Sequence, residues 1–426
     1  MSFLVFCIAL TKKTVRFPVL SSCLFALAAL SCLSSFDAHA KKHGKRGTAA
    51  PIEVSEASNA PNPDFLLIEI FKSLRNNDLR QAQRLADSLV EWYPQFQLGH
   101  LIRGDLLLMH TSNVQKFGAA PNISAERLKD FREEAIVRIK AIRDKPDAAL
   151  VPRNLIQLRR EQKQVLVVDA KRSRLFLYEH NNGELKFITD YYVSQGKFGI
   201  NKYKEGDQKT PLGVYYVTSH LAGAKLPDFY GPGALPINYP NEWDKLNGRS
   251  GSGIWLHGVP SDNFSRPPMA SDGCIVLTNE DFLRLVASVE IGRTPVVISD
   301  EIEFVSKSKS ILERNAANKM IDDWRNDLES LNRNRILANY SSKFKTLQGE
   351  NLNVWLQKQK QVWDGSQNLT IKLKDITHFR YPGKEELIVS TFTQEAQYGK
   401  TKSSVRKRQY WMKEATKWRI IYESQV

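Results

Sequence analysis

The chain has 426 residues, of which 42% are apolar and 25% are charged, and its formal net charge is +15. This composition is typical of a soluble globular protein, and the length allows two or three domains. It excludes a protein with many membrane spans, because no run beyond the N-terminal one is apolar enough to cross a bilayer.

The N-terminus has the pattern of an export signal. Three basic residues at positions 12–16 precede an apolar run at 17–36, and the small residues Ala38 and Ala40 follow. This order of features predicts a signal peptide at 1–40, with cleavage after Ala40. An uncleaved inner-membrane anchor is the alternative, since the run is nearly long enough to span a membrane.

The cysteine count singles out Cys274. The other three cysteines lie within the first 32 residues, so the mature chain keeps one thiol. Exported proteins usually pair their thiols as disulfides, and a single thiol cannot pair within its own chain. Cys274 is therefore either an inert buried residue or a reactive group.

The first half of the exported chain is predicted to be helical. Residues 41–63 are rich in Lys, Ala, Ser and Pro and indicate a linker. Residues 64–150 indicate a helical domain: two amphipathic helices end at Pro94, and a third begins at Ser124 as its N-cap. The first two resemble one tetratricopeptide-type hairpin, but no second copy supports a repeat array.

The pattern changes to strands at residue 163. Hairpin and strand signals fill residues 163–300, together with one helix capped by Thr278, and they predict a mostly β sandwich or barrel. Two helices (about 313–331 and 333–346) and a run of strands then predict an α+β domain at 313–426. The fold class is thus multidomain α+β, and we expect the C-terminal domain to be a separable unit.

A catalytic cysteine needs a base and backbone N–H groups for the developing oxyanion. His257 ends the strand-like run "G-I-W-L-H-G", 17 residues before Cys274, and the intervening loop could fold back. Gly273 beside the thiol allows close approach by a substrate. The alternative is a satisfied histidine and an inert core thiol. No further His, Asp or Glu cluster has metal-ligand spacing, so neither a metal nor an organic cofactor is implied.

The segments "H-G" and "S-D-G-C-I" resemble the catalytic signature of the L,D-transpeptidase family, and "G-D-Q-K-T-P-L-G-V-Y" resembles another motif of that fold. The resemblance implies that Cys274 is the nucleophile and His257 its base, held by the carbonyl of Gly258. It also implies that Gly273, with the N–H of Cys274, forms the oxyanion hole, and that Ser271 belongs to this oxyanion and substrate-binding group.

The same resemblance implies an enzyme that acts on peptidoglycan stem peptides through a thioester, and the predicted signal peptide indicates the periplasm as its location. An amine acceptor gives a cross-link, whereas water gives L,D-carboxypeptidase trimming of tetrapeptides to tripeptides. Two positions depart from the family pattern: Asp272 replaces the usual histidine, and Val276 replaces the usual arginine or asparagine. These departures support the remaining alternative, a non-catalytic wall-binding scaffold.

The C-terminal domain resembles the cone-shaped fold of the nuclear transport factor two superfamily. Its basic run at 400–408 predicts a solvated strand edge, with an anionic glycan or lipid site as the alternative. The helical and C-terminal domains could dock envelope proteins. Nucleic acid is excluded as a partner by the predicted export.

Overall fold

The computed structural model describes residues 60–112, 114, 117–119, 123–364 and 368–426, without the side chains of 359–364. The predicted signal peptide 1–40 and positions 41–59 of the predicted linker lie outside these residues. The described chain forms a helical layer, a β-rich region and a C-terminal α+β region, so the predicted α+β class is confirmed. None of its described helices is both long and apolar enough to cross a membrane.

The helices are α1 (Pro63–Arg75), α2 (Leu79–Trp92), α3 (Gln97–Met109), α4 (Ala125–Arg143), α5 (Glu242–Leu246), α6 (Asn279–Ser288), α7 (Lys307–Glu329), α8 (Arg333–Ala338) and α9 (Leu352–Asp364). Two single turns of 3₁₀ helix lie at 223–225 and 228–230.

The strands before residue 230 are β1 (Leu150–Pro152), β2 (Leu155–Gln157), β3 (Gln164–Asp169), β4 (Arg174–Asn181), β5 (Glu184–Tyr192), β6 (Gln195–Gly196), β7 (Gly213–Tyr216) and β8 (Leu221–Ala222). The later strands are β9 (Gly233–Pro236), β10 (Trp255–His257), β11 (Met269–Ser271), β12 (Ile275–Val276), β13 (Pro295–Ser299), β14 (Phe304–Ser306), β15 (Leu369–Arg380), β16 (Leu387–Tyr398), β17 (Thr401–Glu414) and β18 (Lys417–Gln425).

The helical layer contains one helix more than the sequence predicts. The side chains of Asn62, Asp78 and Ser124 cap α1, α2 and α4 by accepting backbone N–H bonds. The additional helix, α3, has no side-chain cap at its N-terminus, and its exposed side also carries apolar residues, Leu107 and Met109. Neither a capping residue nor a clean amphipathic period therefore marks α3 in the sequence.

The β-rich region is built as a sandwich. A five-stranded sheet in the order β5-β4-β3-β13-β7 faces a four-stranded sheet in the order β12-β10-β9-β8. Apolar side chains of both sheets form one core with Phe282 and Leu285 of α6. Thr278 caps α6 by accepting the N–H of Asp281, as the sequence predicts. Strand β10, which ends at His257, and strand β12, which directly follows Cys274, are neighbours in the smaller sheet.

The C-terminal region differs from prediction in its helices. The first, α7, begins at Lys307 rather than near 313, and α8 ends at Ala338 rather than near 346. The helix α9 was not predicted at all. All but the first residue of the basic run lies on β17, whose residues 401–405 extend past the end of β18 and so form a local sheet edge.

The C-terminal region shares a strand and a hydrophobic core with the segments before it, and its separability stays a prediction. Its sheet, in the order β18-β17-β16-β15-β2, takes β2 from the segment that precedes the β sandwich. The second face of the larger sandwich sheet also shares a hydrophobic core with C-terminal side chains: Val167 and Phe176 lie in one cluster with Phe379 and Tyr410. The larger sandwich sheet is thus buried on both faces, and the C-terminal side chains cover the face that is turned away from the smaller sheet.

A buried ionic network joins the helical layer to the β sandwich. Arg138 of α4 donates to Asp64 at 2.6 Å and to Glu134 at 2.9 Å, and its side chain is 2% exposed. Asp64 also accepts from Arg174 of β4 at 2.8 Å, and Arg174 pairs with Asp190 of β5. The two arginines hold the pKa of Asp64 below its usual value against the raising effect of burial.

Arg138→Met is therefore expected to destabilise the protein strongly. It leaves the buried carboxylates of Asp64 and Glu134 without their shared cation, which costs about 3–5 kcal/mol. Urea unfolding of both proteins measures the difference. Arg143→Met, an exposed change at the end of the same helix, is the control and should leave the unfolding midpoint unchanged. A loss below about 1 kcal/mol for Arg138→Met would show that the network does not hold the layers together.

Candidate active site

The pairing of β10 with β12 brings the predicted nucleophile and base together. The strands are parallel, with Leu256 opposite Ile275 and His257 opposite Val276. Leu256 and Ile275 point into the sandwich core, and side chains alternate along a strand. Cys274, directly before β12, therefore projects from the same side of the sheet as His257, one side-chain repeat away.

The thiol of Cys274 is held between backbone groups and is partly exposed. Its Sγ donates a hydrogen bond to the carbonyl of Gly253 at 3.4 Å. Burial raises the pKa of the Cys274 thiol to about 11, although a hydrogen bond from the backbone N–H of Trp255 acts in the opposite direction. The resting cysteine is therefore a neutral thiol at physiological pH.

The imidazole of His257 is fixed as a neutral base. Its Nδ1 lies 2.6 Å from the carbonyl oxygen of Gly258. A carbonyl only accepts, so Nδ1 carries the proton and Nε2 keeps its lone pair. Burial lowers the pKa of His257 to about 4, and the ring of Tyr230 packs edge-on against it at 5.0 Å. The resemblance implied this role for the Gly258 carbonyl.

Ser271 shapes the turn before the thiol. Its Oγ accepts the N–H of Gly273 at 3.1 Å and donates to the carbonyl of Cys274 at 2.6 Å. With 2% of its surface exposed, Ser271 uses its hydroxyl to orient the turn that carries the cysteine, and its expected part in substrate binding stays a prediction. The N–H of Gly273 is likewise engaged inside the protein, so the expected oxyanion donor at Gly273 is occupied in this structure.

Position 273 requires glycine because of its backbone conformation and because neighbouring atoms leave no room for a side chain. Its φ is 122°, a region that side chains disfavour, and a Cβ would lie 2.7 Å from the carbonyl oxygen of Lys209. Thr210, from the "T-P-L-G" motif, donates its hydroxyl to the Gly273 carbonyl at 2.9 Å. The motif thus anchors the turn that carries the nucleophile.

Arg266 is a charged residue that acts electrostatically on Cys274 and that the sequence analysis did not single out. Its guanidinium stacks on the ring of Phe229 at 4.2 Å and donates to the Phe229 carbonyl at 3.4 Å. Burial lowers the pKa of Arg266, while a negative charge on Cys274 or Asp272 would raise it. Its only sequence signal was an arginine in "S-R-P-P", within the loop that joins the base to the nucleophile.

The two departures from the family pattern have different consequences. Asp272 is exposed, and its carboxylate accepts from the side chain of Gln208 at 2.6 Å. It raises the pKa of Cys274 less than burial does. Val276 is 2% exposed and lies in the ladder between His257 and Ser194. A substrate anchor at 276 is therefore absent from this chain, whereas Arg266 supplies a cation beside the thiol.

Throughout the described residues, no group of three or more His, Cys, Asp and Glu side chains is arranged to hold a metal ion.

The comparisons with known families agree with this site. Residues 163–298 match the family model of the L,D-transpeptidase catalytic domain, and residues 316–424 match that of the Cds6 C-terminal NTF2-like domain. The sandwich thus belongs to the class of L,D-transpeptidase catalytic domains. Both resemblances are therefore confirmed at the level of these two domains.

Two solved structures are similar to this chain over nearly the whole of their own length. Bd1075 of Bdellovibrio bacteriovorus is 27% identical, with a TM-score of 0.57, and the match covers 65% of this chain and 98% of that one. The helical cell shape determining protein Pgp2 of Campylobacter jejuni is 22% identical, with a TM-score of 0.54, over 63% of this chain and 96% of that one. The second likeness concerns the fold alone. A comparison with curated proteins finds no match.

Gly258→Ala tests how tightly the base is held. A methyl group there would lie 2.3 Å from Oδ1 of Asn279 and 2.7 Å from Cδ of Pro232, so the backbone carrying the Gly258 carbonyl must shift. We expect kcat/KM on peptidoglycan peptides to fall by about 100-fold, because general-base geometry is lost. Gly104→Ala, a change in α3 with no atom within 4 Å of the added carbon, should leave activity unchanged. A Gly258→Ala variant within a factor of three of wild type contradicts this account of the base.

Proposed function

We propose that this protein is a periplasmic, cysteine-dependent L,D-transpeptidase that acts on peptidoglycan stem peptides. The observation that carries the proposal is the placement of the Cys274 thiol and the His257 imidazole on one side of the paired strands β10 and β12. The match of residues 163–298 to the L,D-transpeptidase catalytic domain supports the substrate class.

The first half-reaction forms a thioester. Sγ of Cys274 attacks the carbonyl carbon of the third residue of the stem peptide, and Nε2 of His257 takes the thiol proton. The tetrahedral intermediate then expels the terminal D-alanine, whose amine takes the proton back from His257. Because both groups are neutral at rest, proton transfer accompanies attack, and no preformed thiolate is needed.

The second half-reaction returns the free enzyme. His257 takes a proton from the acceptor as its nucleophilic atom attacks the thioester, and the thiolate recovers a proton from the imidazolium when it leaves. A side-chain amine of a second stem gives the cross-link. We assign the oxyanion to the backbone N–H of Cys274, because the N–H of Gly273 is committed to Ser271.

Arg266 is the group that we assign to the substrate carboxylate. A guanidinium binds a carboxylate through two parallel N–H bonds, and the charge of this one favours the thiolate form of Cys274. The terminal carboxylate of the departing D-alanine lies one residue beyond the attacked carbonyl. Arg266 therefore selects the free C-terminus of a tetrapeptide donor.

The location also belongs to the proposal. The basic residues at 12–16, the apolar run at 17–36 and the Ala-His-Ala triplet support export with cleavage after Ala40. N-terminal sequencing of the protein recovered from a periplasmic extract decides this point. Lys41 as the first residue supports the proposal, whereas an uncut chain in the inner membrane contradicts it.

Cys274→Ser is expected to abolish turnover while the fold stays intact, since a hydroxyl is nearly isosteric but a far weaker nucleophile here. The mature protein is incubated with purified tetrapeptide muropeptides, and the products are analysed by mass. Cross-linked dimers from the wild type alone support transpeptidation. Tripeptides without dimers indicate an L,D-carboxypeptidase instead. Equal turnover by both proteins overturns the assignment of Cys274 as the nucleophile. No turnover by either protein also overturns it, and favours a non-catalytic wall-binding scaffold.

A further inference from the structure

The loop that carries Arg266 has no regular structure of its own. Residues 258–268 connect β10 to β11 without a helix or a strand. A segment without ladder hydrogen bonds takes its position from the groups around it. The position of Arg266 therefore depends on what holds this loop, and much of that contact comes from the helical layer.

The first contact is an aromatic one. The ring of Phe264 lies 5.0 Å from the ring of Tyr93 and 4.6 Å from that of Phe96, between α2 and α3. Beside it, the side chain of Gln97 donates to Asn263 at 3.4 Å. Aromatic contacts of this kind add to the stabilisation that burial provides. The loop is thus docked on the helical layer two residues before Arg266.

The second contact is a buried hydrogen bond to a charged group. The hydroxyl of Ser265 donates to Oε1 of Glu134 at 2.7 Å, and Nε of Arg138 donates to the same oxygen at 2.9 Å. Glu134 is 3% exposed. Hydrogen bonds to buried charges are short and directional, so this one fixes the backbone immediately before Arg266.

The third contact holds Arg266 itself. The hydroxyl of Tyr192 donates to the backbone carbonyl of Arg266 at 2.7 Å. The guanidinium of Arg138 lies over the ring of Tyr192 at 3.8 Å. Arg138 therefore contacts both groups that hold the loop: Glu134, which accepts from Ser265, and Tyr192, which donates to the carbonyl of Arg266.

We propose that α4 positions Arg266, and that the helical layer thereby sets the affinity of the active site for the substrate carboxylate. This inference rests on the proposed function, because it gives Arg266 the carboxylate to bind. Ser265 and Tyr192 are positioning residues: they act through Arg266 and do not touch the substrate. The helical layer is then a part of substrate recognition in addition to any docking role.

The test compares Ser265→Ala and Tyr192→Phe with a matched control. Tyr192→Phe keeps the ring under Arg138 and removes only the hydroxyl. Tyr191→Phe removes a hydroxyl from the adjacent residue, whose side chain lies in the sandwich core. Each protein is assayed on a tetrapeptide muropeptide with a free C-terminus and on its C-terminal carboxamide, after its melting temperature has been recorded.

The ratio of kcat/KM for the acid to that for the amide measures carboxylate recognition. We expect Tyr192→Phe and Ser265→Ala to lower this ratio by about tenfold, the scale of a displaced hydrogen bond to a charge. In an Arg266→Ala background, both substitutions should have no further effect on the ratio. Tyr191→Phe should keep the wild-type ratio, since a general loss of stability lowers kcat/KM for the acid and for the amide alike.

A readout without turnover separates this inference from the proposed function. The positive charge of Arg266 favours the thiolate of Cys274, so its displacement should slow alkylation of the thiol by iodoacetamide at pH 8 several-fold. Slower alkylation in Ser265→Ala, Tyr192→Phe and Arg266→Ala, but no wild-type turnover, rejects the proposed function and keeps the positioning role. Wild-type turnover with an unchanged acid-to-amide ratio and unchanged alkylation in Ser265→Ala and Tyr192→Phe overturns the inference.

Discussion

The active site depends on the short parallel pairing of β10 with β12. Leu256 and Ile275 face each other in the ladder and are buried in the sandwich core, so the register cannot slip by one residue without exposing both. The same register sends His257 and Cys274 to the opposite side of the sheet. Hydrophobic burial on one side thus fixes the relative placement of His257 and Cys274 on the other.

The glycines that flank the pair act through close packing. Gly258 lets Asn279 and Pro232 approach the end of β10, and Gly273 lets the turn before Cys274 lie against the Lys209 carbonyl. Each places a backbone group that the chemistry uses: the Gly258 carbonyl selects the tautomer of His257, and the turn at Gly273 presents the thiol. These requirements explain why the chain has glycine beside both residues.

Local motifs in the sequence were sufficient to predict the fold class, because the alternation of apolar residues in strands and the glycines between them are local signals. The same kind of signal singled out Cys274 and His257, which the structure places on neighbouring strands and whose catalytic roles stay predictions. Arg266 was missed because its importance comes from a fold that returns a loop to the thiol. The roles of Ser271 and the N–H of Gly273 depend on which partner each hydrogen bond finds, and spacing does not encode that choice. The pairing of β2 with β15 of the C-terminal sheet is equally non-local, since the two strands are more than 200 residues apart in the sequence.

The central claim is that Cys274 and His257 rest as a neutral thiol and a neutral imidazole, and that the substrate triggers the proton transfer between them. The rate of alkylation of Cys274 as a function of pH tests it most directly, because this cysteine is the only one that follows residue 32. A thiol whose pKa is raised to about 11 should react about tenfold faster for each pH unit from 7 to 10. A rate that is already constant between pH 5 and 9 would reveal a preformed thiolate–imidazolium pair and contradict the account.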